Sequence, residues 1–159
     1  MDVTTMPSIL SLLPLLKQAY PTISFTAGER FSWSPDKKTV FYDESDTKNT
    51  SILLHELAHG LLDHHSYSKD VELISMESDA WDKAVELAAL YKVKVTDTAV
   101  QDNLDTYREW LHDRSTCPKC EATGYQSAKS EYTCVACSHK WRVNEARICA
   151  LRRYSITQK

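Results

Sequence analysis

Two C-x-x-C pairs, Cys117-Pro118-Lys119-Cys120 and Cys134-Val135-Ala136-Cys137, lie thirteen residues apart and constrain the end of this chain more than any other feature. Four thiolates at this spacing close a tetrahedral site, which staples a segment too short to bury a sizeable core. The pattern belongs to a structural zinc site rather than to a disulfide framework. Charge changes sign at the same place. Residues 115–159 carry 8 Lys/Arg against 3 Asp/Glu, whereas residues 1–114 carry 11 against 19. We therefore expect two domains, 1–114 and 115–159, with different partners.

With 42% hydrophobic and 26% charged residues, the chain has the profile of a globular protein, and three glycines argue against a fold of many tight turns. No apolar run approaches the ~18 residues needed to span a bilayer. The apolar stretch Ile9 to Leu16 follows Asp2 where a signal peptide carries positive charge, and Pro14 interrupts it, so it reads as a packed helix. A cytoplasmic location without membrane partners is expected. Ser8 to Tyr20 forms a helix that Pro21 stops. Strands follow at Ile23 to Phe25, Arg30 to Trp33 and Thr39 to Tyr42, with a turn at Ser34-Pro35-Asp36-Lys37. Asn49, Thr50 or Ser51 caps a helix over Ile52 to His64. Further helices span Lys69 to Tyr91 and Thr98 to Arg114, and a basic helix closes the chain from Asn144 to Tyr154. The fold class is α+β: a short antiparallel sheet plus helices, followed by a metal-stapled module.

His55-Glu56-Leu57-Ala58-His59 is an H-E-x-x-H sequence. Residues four apart share a helix face, so both imidazoles reach one ion. Zinc suits two neutral histidines plus a third protein ligand, and in hydrolytic sites it lowers the pKa of its water towards about 7. Glu56, one step round the helix, is placed as the general base that relays a proton to the leaving amine. Ile52, Leu53, Leu54, Leu57, Ala58, Leu61 and Leu62 make this helix apolar nearly all round, and buried histidines in such a setting need a partner.

Several residues compete as third ligand. His65 lies ten residues after His55, where H-E-x-x-H-x-x-G-x-x-H sites place a third histidine, but Leu62 stands where that pattern breaks the helix with glycine. His64 has the same difficulty and reads as a helix-end residue near water. Glu77 falls within the stripe Leu73, Ala80, Trp81, Ala84, Leu87, Ala88 and Tyr91, where a carboxylate is paired or on a metal. Glu72 lies off that stripe. Glu77 is the preferred ligand, and Asp79 is a candidate to orient a ligand histidine.

His55-Glu56-Leu57-Ala58-His59 followed by Glu77-Ser78-Asp79-Ala80 resembles the ImmA/IrrE-type metallopeptidases, which are minimal gluzincins pairing H-E-x-x-H with a downstream E-x-E-A segment. The resemblance covers roughly residues 20–95, and Asp79 stands at the second glutamate. It implies a zincin-like domain with His55, His59 and Glu77 as ligands and Glu56 as base, acting on a protein target such as a transcriptional repressor. Substrates of similar enzymes add to an edge strand, and Thr39 to Tyr42 is the expected one. The cysteine module resembles a zinc ribbon, with Tyr132 and Trp141 packing its core. Ribbons commonly follow each knuckle with glycine; here Glu121 and Ser138 occupy those positions. Cys149 reads as a buried or half-buried helix residue without a metal. Lys140, Arg142, Arg147, Arg152 and Arg153, with Trp141 and Tyr154, are placed to contact phosphates and bases. The expected function is a peptidase with one catalytic and one structural zinc. The alternative is a nucleic-acid-binding ribbon protein whose zincin-like domain is inactive. SprT-like enzymes also join a zincin to a ribbon, but their third histidine lies well downstream, and no histidine occurs here between His65 and His112.

Overall fold

The computed structural model describes residues 5–145 and 151–156. The chain divides into two compact units, Met1–Ser66 with Ser75–Gln101, and Tyr67–Ile74 with Asp102–Lys159. Both are built from the four helices and seven strands found among the described residues.

In the first unit, helix α1 (Ile9–Ala19) begins where the Ser8 hydroxyl accepts from the Ser11 N–H at 3.2 Å. It buries Ile9, Leu12, Leu13 and Leu16, a single stripe at helical spacing. Strands β1 (Ser24–Gly28), β2 (Ser32–Ser34) and β3 (Thr39–Asp43) form a sheet of order β1-β3-β2. β2 pairs antiparallel with β3, as expected, while β1 pairs parallel, so this sheet is mixed. The expectation that Thr39 to Tyr42 lies at an edge is overturned: β3 is central. The chain leaves β1, crosses to the far side as β2, and returns between the two through the turn at Pro35–Lys38, with Lys38 left-handed (φ 46°). Central placement suits Val40, which is wholly buried.

Helix α2 (Thr50–Leu61) carries Leu53, Leu54, Leu57 and Ala58, all without solvent exposure. It ends three residues earlier than the apolar pattern suggests. Asp63 takes a left-handed conformation (φ 53°), so that its N–H bonds the Gly60 carbonyl at 3.2 Å and the His64 N–H bonds the His59 carbonyl at 2.9 Å. These are the closing bonds of a left-handed helix terminus, usually provided by glycine. Helix α3 (Asp70–Tyr91) buries Ala80, Trp81, Ala84, Leu87 and Ala88, with Glu77 among them.

The second unit holds the first turn of α3, most of helix α4 (Asp97–Ser115), and an antiparallel sheet of order β4-β5-β6-β7. The strands are β4 (Gly124–Ala128), β5 (Glu131–Cys134), β6 (Lys140–Val143) and β7 (Arg153–Ser155). Cys117, Tyr132, Cys134, Trp141 and Val143 make its small core. Gly124 allows this packing, since a Cβ there would stand 2.5 Å from the Trp141 ring. The expected closing helix is corrected in its described part. The Asn144 N–H donates to the Arg152 carbonyl at 3.2 Å, the Arg152 N–H donates to the Asn144 Oδ1 at 2.9 Å, and Arg153–Ser155 returns along β6 as a strand. Pairing satisfies the edge of β6, which no local pattern in the sequence encodes. Arg147 and Cys149 lie outside the described residues.

A buried polar knot joins the helices of this unit to its sheet. Arg114 Nε donates to Asp70 Oδ2 at 2.8 Å, and the Tyr132 hydroxyl donates to the same oxygen at 2.6 Å. Arg114 also donates to the Asn144 carbonyl, while its own carbonyl accepts from the Trp141 indole at 2.9 Å. The Asp70 N–H bonds Gln126 at 2.7 Å, and the Arg114 guanidinium lies over the Trp110 ring.

Candidate metal centres

One turn of α2 turns His55 and His59 to the same side, and α3 brings Glu77 against them. His55 Nε2 lies 2.9 Å from Glu77 Oε2, His59 Nε2 lies 3.4 Å from Glu77 Oε1, and the two Nε2 atoms are 3.2 Å apart. A tetrahedral ion with bonds of 2.0–2.1 Å separates its ligand atoms by about 3.3 Å. Each imidazole nitrogen therefore already stands near that spacing from the other and from one Glu77 oxygen. All three residues are buried. Burial alone would raise the Glu77 carboxyl, but hydrogen bonds with His55 and His59 outweigh it and bring it down to about 2. A carboxylate held ionised beside two imidazoles is the donor set that suits a divalent cation such as zinc.

The surroundings fix this geometry. The Trp81 indole stacks on the His55 ring, with centroids 4.2 Å apart. Gly60 lets Trp33 approach α2, because a Cβ there would lie 2.9 Å from the indole ring. The Trp33 Nε1–H in turn donates to the His64 carbonyl at 2.9 Å. His64 Nδ1 lies 2.9 Å from His59 Nδ1, on the side of the ring opposite Nε2. Burial and the neighbouring His59 lower the His64 pKa, favouring a neutral ring that accepts the His59 Nδ1–H. Such a bond fixes both tautomer and ring orientation of a ligand histidine.

Glu56 is half-buried beside the three donors. Burial pushes its carboxyl up, against the opposing pull of His55 and His59, and the Trp33 backbone N–H on β2 hydrogen-bonds it. The other acidic and imidazole groups lie elsewhere. His65 is exposed, as is Asp79, whose charge acts on His64. Glu72 caps α3, accepting from the Ser68 N–H at 2.8 Å and the Lys69 N–H at 3.3 Å, which lower its pKa. Sequence reasoning missed the partnership of His64 with His59 and the stacking of Trp81. The left-handed turn that delivers His64 is formed by Asp63, and only the tolerance of Asp for that conformation hints at it.

The second group is Cys117, Cys120, Cys134 and Cys137, whose sulfurs all lie within 4.8 Å of one another. Cys117 and Cys137 are 3.7 Å apart, and Cys120 and Cys134 are 3.5 Å apart. A tetrahedral ion with metal–sulfur bonds of ~2.3 Å calls for about 3.8 Å. The two knuckles repeat one geometry. The Lys119 N–H points at Cys117 Sγ and the Ala136 N–H at Cys134 Sγ, while Glu121 and Ser138 bond back to the carbonyls of Cys117 and Cys134. Both Glu121 (φ 65°) and Ser138 (φ 62°) are left-handed, the conformation that glycine supplies elsewhere. Backbone N–H groups of Cys137 and Ala136 lower the Cys134 thiol, while its sulfur neighbours push the Cys120 thiol up, so in the absence of an ion the four sulfurs share protons rather than all being thiolates.

The two donor sets are compatible with zinc. Comparisons with protein-family models, curated proteins and solved structures returned no match. Among the described residues, no helix is long and apolar enough to cross a membrane.

Proposed function

We propose that the chain is a zinc-dependent peptidase of gluzincin type, with its catalytic ion held by His55, His59 and Glu77 and a structural ion held by the four cysteines. The observation that carries this reading is the convergence of three buried donors at tetrahedral spacing, with Glu56 beside them. A zinc ion, when bound, acidifies water and polarises the carbonyl to be attacked. Glu56 takes the proton from the attacking water and returns it to the leaving amine. The Trp33 N–H keeps that carboxylate aimed, and Trp81 and His64 keep the two imidazoles from rotating. The protein substrate lies extended along a sheet edge, and β2 is an edge strand whose Trp33 N–H meets Glu56, in place of the central β3.

The resemblance to ImmA/IrrE-type enzymes points to an intracellular regulatory protein, such as a transcriptional repressor, as target. Glu56→Gln keeps shape and polarity but removes the base. We expect this variant to retain its metal while cleavage of an unbiased peptide library falls by ~100-fold or more. Unchanged turnover would refute the role of Glu56, and a wild-type protein that cleaves nothing when loaded with zinc would refute the peptidase reading.

A further inference from the structure

We propose that the outward face of the β4-β5-β6-β7 sheet binds single-stranded nucleic acid, with Tyr125 and Tyr154 stacking on bases and Lys140 and Arg142 contacting phosphates. This assignment does not depend on the peptidase reading.

The strand register places these side chains together. Tyr125 stands opposite Thr133, and Thr133 opposite Lys140, forming one row across three strands. Glu131 stands opposite Arg142, and Arg142 opposite Tyr154, forming the adjacent row. Residues directly opposite each other share a face, and residues two apart on a strand share it as well. All six therefore project from one side, where Thr133 is buried between its exposed neighbours and donates to the Ser127 hydroxyl at 3.0 Å. The other side carries Tyr132, Cys134, Trp141 and Val143, which are the buried core.

Two features of the outward face select the occupant. Tyr125 and Tyr154 are 55% and 51% exposed, although large aromatic side chains usually serve a core. They sit on the two outer strands and in adjacent rows, about 16 Å apart at ~4.8 Å per strand step and ~3.4 Å per residue. Between them lie two exposed cations, Lys140 and Arg142, on a segment that carries 8 Lys/Arg against 3 Asp/Glu. Arg142 Nη2 donates to Glu131 at 3.0 Å, an exposed pairing that a phosphate can replace. Alternating π faces and positive charge on an open sheet match a strand whose bases are unstacked. A duplex keeps its base faces covered, and an acidic peptide has nothing to stack on the tyrosines.

The same register corrects the residues expected from sequence. Trp141 is fully buried and unavailable to a base. Arg153 pairs in register with Val143, on the inner side, and its guanidinium donates to the Thr116 carbonyl at 2.9 Å. Tyr125 takes the place that sequence reasoning gave to Trp141.

The test uses the full chain with zinc added and fluorescence anisotropy of labelled oligo-dT and oligo-U, against a duplex of equal length and polyglutamate. Single strands are expected to bind at low salt, with log affinity falling linearly in log salt. Replacing both Lys140 and Arg142 by alanine should weaken binding at least tenfold and reduce the salt slope by about 1.4, at ~0.7 per phosphate. Tyr125→Ala and Tyr154→Ala should each weaken binding by roughly 5- to 100-fold while leaving the slope unchanged, and Tyr125→Phe should restore it. Arg108→Ala, which removes one cation from α4 rather than from the sheet face, should change little. Unaltered zinc content and circular dichroism identify variants that remain folded. The proposal is overturned if single strands do not bind at low salt, or if duplex or polyglutamate binds as tightly. It is equally overturned if folded tyrosine variants bind like wild type, or if Arg108→Ala weakens binding as much as the face variants do.

Discussion

Arg114→Ala should cost the second unit about 3–5 kcal/mol, because it breaks a buried ion pair and leaves a charge behind. The side chains of Arg114 and Asp70 are only 1% and 7% exposed. Truncation removes the Nε–H bond to Asp70 at 2.8 Å, the bond to the Asn144 carbonyl and the packing over Trp110. The Asp70 carboxylate then keeps its Tyr132 partner but loses the cation that offsets its desolvation. Few apolar side chains can absorb the loss, since the core is Cys117, Tyr132, Cys134, Trp141 and Val143. Measured against total domain stabilities of about 5–15 kcal/mol, the change is large. Urea denaturation of zinc-loaded protein would register it as a lower midpoint, and a chelating dye would register faster release of the cysteine-bound metal. Replacing Asp70 by Leu, Arg114 by Met and Tyr132 by Phe together should recover much of the loss, because neither an unpaired charge nor the Tyr132 hydroxyl then remains buried. A loss below about 1 kcal/mol, the range of exposed pairs, would refute the reasoning.

Two ions per chain are expected by elemental analysis, with Cys117→Ser losing one and His59→Ala the other; a single ion in wild type would contradict the two-centre arrangement. Glu77→Ala should release or greatly weaken the ion at His55 and His59, whereas His65→Ala should leave it bound, as chelator competition would show; the opposite pattern would overturn the ligand assignment. His64→Ala should weaken that same affinity by ~10- to 100-fold, and His64→Asn, which keeps an acceptor near His59 Nδ1, should restore most of it. Equal affinities in His64→Ala and wild type would show that His64 does not orient His59.

Helices and ligand spacing were legible in the sequence because both are local. The stripe through Leu73, Trp81 and Leu87 marks the face of α3 that buries Glu77, and four-residue spacing aligns His55 with His59. What escaped depends on partners distant in sequence or on backbone choices that side chains barely signal. β3 is central because β1 and β2 flank it, which its own five residues do not reveal. The tail near Arg153 has helix-compatible residues, yet the open edge of β6 makes it a strand. Asp63, Glu121 and Ser138 adopt the left-handed conformation without glycine, so the turn that aims His64 and the two knuckle turns carry no glycine signal.

The stacking of Trp81 on His55 also makes the protein its own optical probe. An indole in van der Waals contact with an imidazole changes its emission when that ring gains a proton or a metal, so loading at His55 becomes readable without a label. The four tryptophans divide evenly: Trp33 and Trp81 belong to the first unit, Trp110 and Trp141 to the second. Replacing Trp110 and Trp141 by Phe would leave a spectrum that reports on the histidine centre alone, and the converse pair of replacements would isolate the cysteine centre. Trp110 beneath the Arg114 guanidinium and Trp141 against the inner face of the sheet sit in distinct electrostatic settings, so their emission maxima should differ as well.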